Sequence, residues 1–165
     1  MSELNTKKSG ASFHRGKSNQ TFATPPEFRE AIVKQFGFPS WDLAASAENF
    51  FGPPGKYFDE KNSAFIHDWH RLDGILWLNP PFADISPWAE KCAVASKQGA
   101  RILLLVPASV GAKWFQDHVH NCAAHVYFLA PRICFDGKGP FPKDCLLADY
   151  SGLSFSTYYR CWRWK

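Results

Sequence analysis

The sequence contains no apolar run approaching the roughly 20 residues that are needed to cross a membrane. Its first residues are polar and have no apolar core of the kind found in secretion signals. Five cysteines are present, but their number is odd, their spacing is wide and no Cys-x-x-Cys pair occurs. This usage argues against a disulfide framework and favours a reducing compartment. We therefore expect a soluble cytoplasmic protein with no membrane segment.

Two common kinds of site lack their full pattern. His118, His120, Cys122 and His125 fall on a predicted helix and its end, where residues two apart point to different sides. No second cysteine pair completes a zinc set. The glycine-rich turn at 136–140 contains one lysine but not the Walker spacing. We therefore predict no metal site and no nucleotide hydrolysis.

The 165 residues are typical of one globular domain, because 45% are hydrophobic and 21% are charged. The net charge of +4 permits nucleic-acid binding without demonstrating it. Much of the excess lies in the first 17 and the last six residues. Residues 1–20 are polar and basic, and we predict a disordered tail there, followed by a folded domain over 21–165.

Helical and strand patterns alternate along the chain. Thr24-Pro25-Pro26-Glu27 predicts a helix capped by Thr24, with Pro25 at its first position, that ends near Gly37. The remaining patterns predict helices at about 86–97 and 111–121, and strands at 41–45, 57–58, 74–78, 101–106, 125–129, 145–150 and 155–162.

The predicted central strands are apolar without interruption, which indicates parallel strands covered on both faces. We therefore expect a doubly wound α/β fold with a mostly parallel, twisted sheet and helices on both faces. Ligands bind beyond the carboxyl ends of the strands in such sheets. Asn79 and Pro107 lie at two of these ends, so we expect the site there.

Asn79-Pro80-Pro81-Phe82 directly follows the predicted buried strand 74–78. An aromatic amine such as that of adenine is a poor nucleophile until its nitrogen becomes pyramidal. The Asn79 side-chain oxygen and the Pro80 carbonyl could accept hydrogen bonds from its two N–H groups. Both oxygens would then stabilise the positive charge that develops on the nitrogen as it attacks a methyl group. The prolines stiffen the loop, and Phe82 offers a flat face for a base, worth about 1–3 kcal/mol. The alternative is an ordinary turn in which Asn79 bonds its own backbone.

A series of further motifs surrounds this loop, in one order, across residues 15–150. They are Thr24-Pro25, Trp41-Asp42-Leu43-Ala44-Ala45, Asn49, Tyr57-Phe58, Asp68-Trp69, Trp77-Leu78, Trp88, Leu105-Val106-Pro107-Ala108, Trp114-Phe115, Phe128-Leu129, Arg132, Phe135 and Phe141-Pro142. Together they resemble the compact phage-type DNA N-6-adenine methyltransferases. No Gly-x-Gly follows the first strand, which departs from most methyltransferases but not from this family.

The resemblance implies a Rossmann-like methyltransferase domain over 21–165, S-adenosylmethionine as cofactor and double-stranded DNA as partner, with the target adenine flipped from the duplex. It implies a phage or prophage protein that modifies DNA in a bacterial host, for example against restriction. It places cofactor contacts at Thr24, Pro25, Asp42, Ala44, Asp68, Trp69 and Asn79. Three of these side chains also have a simpler interpretation: Thr24 as a helix cap, Asp42 as a surface carboxylate at a strand end and Asp68 as part of a loop network.

For DNA contacts, Phe82 would stack the base, with Arg132 and Lys138 at phosphates. An ordinary exposed loop around Lys138 is the alternative. The same chemistry on cytosine N4, RNA adenine or protein glutamine remains open, as does a nucleic-acid-binding module without activity.

Overall fold

The computed structural model describes residues 22–46, 48, 50–152 and 156–165. The predicted tail at 1–20, Asn49 of the motif series and Phe155 of the last predicted strand lie outside this part of the chain. Three α-helices are present in it: α1 (Pro26–Phe36), α2 (Ser86–Lys97) and α3 (Lys113–His118). The six strands are β1 (Trp41–Asp42), β2 (Ile75–Leu78), β3 (Arg101–Pro107), β4 (His125–Ala130), β5 (Cys145–Ser151) and β6 (Tyr158–Arg163). No helix within these ranges has both the length and the apolarity to cross a bilayer.

The strands form one sheet in the order β1-β2-β3-β5-β4-β6. β1, β2 and β3 pair in parallel, and so do β4 and β6, but β5 is antiparallel to both of its neighbours. The sheet is therefore mixed, and the prediction of a mostly parallel sheet is wrong. The cause is the connection 131–144, which contains no helix, so the chain turns back beside β4 instead of crossing over the sheet.

Successive residues of the central strands face opposite layers. Leu76 and Leu78 belong to a buried cluster that includes side chains of α2 and α3. Ile75 and Trp77 belong to a second cluster, which includes Phe28 and Ile32 of α1. Helices thus cover both faces of the sheet, which explains why β2 is apolar and buried at every position.

Several predicted boundaries shift in the structure. The cap of α1 is Pro25, not Thr24, and no side chain bonds the first turn. The helix α2 has the predicted bounds, with Ile85 as its cap, whereas α3 is shorter than the predicted 111–121. β1 keeps only two residues, and the brief strand expected at 57–58 is an isolated bridge between Tyr57 and Asp42.

Candidate active site

Asn79 leaves β2 at the carboxyl edge of the sheet with its side chain half-buried. Its amide nitrogen donates to the carbonyl of Phe22 at 2.6 Å and to Oγ1 of Thr24 at 3.3 Å. A backbone carbonyl can only accept, so the amide atom that faces Phe22 must be the nitrogen. Oδ1 lies on the other branch of the amide and has no hydrogen-bond partner among the described residues. The Asn79 amide is therefore fixed through its nitrogen, and its oxygen is available to accept a further hydrogen bond.

Thr24 is buried beside this amide. Its hydroxyl oxygen also accepts a hydrogen bond from the indole nitrogen of Trp77 at 3.2 Å. The side chain that was expected to cap α1 instead connects the segment before the helix to β2 and to Asn79. These two hydrogen bonds connect Thr24 to residues that lie 53 and 55 positions later in the sequence.

Phe82 follows the two prolines, of which Pro80 is buried and Pro81 exposed. Its half-buried ring forms an aromatic tetrad with Phe22, Phe135 and Phe141, in which all six pairs of ring centroids lie 5.2–5.9 Å apart. The sequence analysis assigned base stacking to Phe82 alone and missed Phe22. The position of Phe22 just before Thr24-Pro25 gives no local indication that it contacts a loop almost 60 residues later.

Asp42 ends β1 and is buried. Its Oδ1 accepts from the backbone N–H of Ala44 at 3.1 Å, and its Oδ2 from that of Phe51 at 2.8 Å. Burial raises the pKa of Asp42 to about 6, although these two N–H groups and the nearby Arg29 act in the opposite direction. The carboxyl group therefore holds the two ends of the loop that follows β1.

Arg29 of α1 connects this loop to Thr24, and the sequence analysis did not single it out. Its Nε donates to the carbonyl of Thr24 at 2.8 Å, and its Nη1 to the carbonyl of Phe50 at 3.0 Å. The guanidinium also lies 5.4 Å from the ring centroid of Phe51. Arg29 thereby connects the segment before α1 to the loop that follows β1.

A cavity of about 600 Å³ opens beside the start of α1. Its walls are residues 23–27 and Arg29 on one side and Cys134, Phe135 and Gly137 on the other. Its volume lies within the range of small-ligand sites. It connects Thr24 to the aromatic tetrad through Phe135.

Asp68 and Trp69 lie elsewhere. Asp68 is exposed and pairs with Arg71, with 3.5 Å between Oδ2 and Nε. Trp69 is buried in the cluster on the α2 side, and its indole donates to the carbonyl of Ala64 at 2.8 Å. In the described part of the chain, no hydrogen bond or ring contact joins either residue to the loop after β2. Their cofactor role stays a prediction from the resemblance.

Arg132 and Lys138 border a second cavity of about 300 Å³, and both are exposed. Arg132 is paired with Asp144 through a 2.7 Å contact from Nε to Oδ1. The backbone N–H of Lys138 donates to the side chain of Asp136. Their contact with DNA remains a prediction. Across the described ranges, no three His, Cys, Asp or Glu side chains are grouped so that they could hold a metal ion.

Comparison with known proteins identifies the family. The family model described as "DNA N-6-adenine-methyltransferase (Dam)" matches residues 12–148, which include every motif of the candidate site. A DNA N-6-adenine-methyltransferase of Escherichia phage T1 is 25% identical over 109 residues. That match covers 66% of this chain and 44% of the phage protein, so the chain spans less than half the length of this relative. On the extent of the family match, the chain belongs to the DNA N-6-adenine-methyltransferase (Dam) family.

Proposed function

We propose that this protein transfers the methyl group of S-adenosylmethionine to the exocyclic amine of adenine in double-stranded DNA. Family membership supports the reaction, and the orientation of Asn79 is the structural observation that carries it. An amide whose nitrogen is already bonded presents its oxygen to an incoming N–H group. That acceptor stands on a loop stiffened by Pro80 and Pro81 and beside an aromatic tetrad suited to a flat base.

In the proposed reaction the adenine leaves the duplex and lies against the tetrad at Phe82. One N–H of its amine donates to Asn79 Oδ1 and the other to the Pro80 carbonyl, which favours a pyramidal nitrogen. The nitrogen lone pair then forms the new N–C bond as the S–C bond of the donor breaks. One N–H proton leaves to solvent afterwards. The two oxygens stabilise the positive charge on nitrogen, and no strong base is required.

The cofactor, when bound, would supply a methyl group that is electrophilic because it is attached to a sulfonium. The rest of the cofactor would then leave as a neutral thioether. The residues at the start of α1 fit such a molecule, because the cavity of about 600 Å³ beside them combines the polar residues Thr24 and Arg29 with apolar walls. We assign its contacts to Pro25, Asp42, Ala44 and Asn79 and to the backbone of Thr24. The additional assignment of Asp68 and Trp69 depends on the family resemblance alone.

The same proposal includes a Rossmann-like single domain over 21–165. Three neighbouring strands, β1, β2 and β3, run in parallel and bring Asp42, Asn79 and Pro107 to one edge of the sheet. Ligands of open α/β sheets bind at this edge. Arg132 and Lys138 would lie at DNA phosphates beside it. By analogy with the phage relative, the role is modification of DNA in the bacterial cytoplasm.

The test is methyl transfer from labelled S-adenosylmethionine to unmodified duplex DNA, followed by digestion to nucleosides and mass spectrometry. We expect N6-methyladenine as the product. N4-methylcytosine would contradict the base assignment, as would label that enters only RNA or only protein glutamine. Heat of binding with DNA but none with S-adenosylmethionine in calorimetry would instead support a nucleic-acid-binding module without activity.

A further inference from the structure

We propose that Thr24 is a positioning residue, which acts with the Phe22 carbonyl to set the rotation of the Asn79 amide so that its oxygen faces the substrate. The inference rests on the proposed function, since a substrate-facing acceptor matters only if an amine is methylated there. It assigns the Thr24 hydroxyl a role in orienting the loop rather than in contacting the cofactor.

The two oxygens around Nδ2 make the amide rotation unambiguous. Phe22 offers a carbonyl at 2.6 Å and Thr24 a hydroxyl oxygen at 3.3 Å, both on the same side of Asn79. A flipped amide would place Oδ1 against the Phe22 carbonyl, which has no hydrogen to donate. Both hydrogen bonds of Nδ2 would then be lost in a half-buried site.

Thr24 is itself held from two directions. The indole N–H of Trp77, whose side chain is completely buried in the sheet, donates to Oγ1 at 3.2 Å. Arg29 holds the Thr24 backbone carbonyl at 2.8 Å. Because a hydroxyl oxygen has two lone pairs, it can accept from Trp77 and Asn79 together. The amide of Asn79 is thus oriented relative to the rigid interior of β2, and not only by its own loop.

This arrangement also selects asparagine over aspartate at position 79. A carboxylate would present a second anionic oxygen to the Phe22 carbonyl, where no donor is available. The Thr24 hydroxyl can turn its hydrogen toward one carboxylate oxygen, but the backbone carbonyl cannot. We therefore expect Asn79→Asp to lose the defined rotation although both oxygens of aspartate can accept.

The experiment compares Thr24→Val, which keeps the shape but removes the hydroxyl, with Thr24→Ser, which keeps the hydroxyl. Thr157→Val is the matched control, because Thr157 is also a buried threonine with hydrogen bonds, but it lies beside the amino end of β4. With duplex DNA and saturating S-adenosylmethionine, we expect Thr24→Val to lower kcat at least tenfold. Thr24→Ser should stay within threefold of the wild type and Thr157→Val within twofold.

Two further readouts separate positioning from other roles. Titration with S-adenosylmethionine should give less than a twofold change in Kd for Thr24→Val. In 1H–15N spectra, the Trp77 indole signal and the Asn79 side-chain amide pair should both shift in Thr24→Val and remain near their wild-type positions in Thr24→Ser. Asn79→Ala identifies the amide pair by its disappearance. Asn79→Asp should fold normally and lose at least a hundredfold in kcat.

The possible outcomes are distinct. Unchanged kcat in Thr24→Val, equal losses in Thr24→Ser and Thr24→Val, or wild-type activity of Asn79→Asp would each overturn the positioning role. So would a loss confined to cofactor affinity, which would make the Thr24 hydroxyl a cofactor contact. If the wild-type protein does not methylate adenine, the proposed function fails, and unshifted signals in the spectra would then overturn the orienting contact independently.

Discussion

Two buried carboxylates, Asp42 and Asp149, lie toward opposite ends of the parallel strands, which we call the carboxyl edge and the amino edge of the sheet. Both have a pKa above the ordinary range, and in both cases the main cause is burial. Asp42, at the carboxyl edge, has a backbone N–H on each oxygen. Asp149 lies opposite His125 in the β4–β5 ladder, near the amino ends of the parallel strands. Its Oδ1 and the Nδ1 of His125 have no hydrogen-bond partner among the described residues.

The contrast shows that a shifted pKa does not by itself mark a functional site. Burial raises the pKa of both carboxyl groups, but only Asp42 organises a loop at the edge where Asn79 and Thr24 meet. Geometry therefore distinguishes the two residues where titration does not. We therefore expect substitutions at the carboxyl edge to lower activity and a substitution of Asp149 to leave it unchanged.

The largest effect is expected at the carboxyl edge itself. Asn79→Ala removes the acceptor proposed to stabilise charge on the reacting nitrogen, a loss of about 10²- to 10³-fold in kcat. Methyl incorporation under single-turnover conditions measures it, and circular dichroism checks the fold. Gln98→Ala is the control, since this amide follows α2 just before the amino end of β3 and should leave kcat unchanged.

The next prediction concerns Asp42→Asn against Asp149→Asn. An amide at position 42 must turn an N–H group toward a backbone N–H of Ala44 or Phe51. The disturbed loop should raise KM for S-adenosylmethionine roughly five- to 150-fold, the equivalent of about 1–3 kcal/mol. Asp149→Asn should leave KM and kcat within twofold of the wild type. Equal losses in the two variants would remove the distinction between the edges.

Stability should respond to pH through Asp42. Its pKa is about 6 in the folded protein, against an ordinary value of 3.8. Between these values the folded protein binds more protons than the unfolded chain, so the free energy of unfolding falls as pH rises. The stabilisation present below pH 4 is lost above pH 6 and amounts to about 3 kcal/mol.

Urea unfolding of the wild type and of Asp42→Asn from pH 4 to pH 7 measures this component. The difference between the two stability curves should change across this range, and parallel curves would contradict the prediction. Asp149→Asn should remove a component of the same sign, because burial also raises the pKa of Asp149. The two variants would then resemble each other in stability while differing in activity.

The smallest effect is expected from Lys138→Gln. If Lys138 contacts one phosphate, the slope of log affinity against log salt should decrease in magnitude by about one. Fluorescence anisotropy with a labelled duplex at several salt concentrations measures the slope. Lys97→Gln, at the end of α2, is the control and should leave the slope unchanged.

Much of the fold could be predicted because the strands are short apolar runs ended by proline or polar residues. β2 and β3 appear almost where the patterns placed them. The direction of β5 could not be predicted, since an apolar run buried on both faces has the same composition in either direction. The composition of such a strand carries no information about its neighbours.

Only the local part of the site could be predicted from the sequence, for a related reason. The loop at Asn79 is local, and its prolines and preceding strand are visible in sequence. The partners of Asn79 are not, because Phe22 and Thr24 are more than 50 residues away. The sequence predicts Thr24 as a helix cap, because Thr-Pro before a helix usually has that role, and the family resemblance adds a cofactor contact. Its hydrogen bonds to Trp77 and Asn79 follow only from tertiary packing.

The position of β5 has a consequence for how the chain is made. β5 is the strand that joins β1–β3 to β4 and β6, because β3 and β4 each pair with it. During translation, β1–β3 and β4 emerge first and have no shared edge. The sheet becomes continuous only after residue 151 has left the ribosome, so assembly of the molecule waits for a late segment. Nascent chains stopped before β5 would expose the edges of β3 and β4 to association with other proteins.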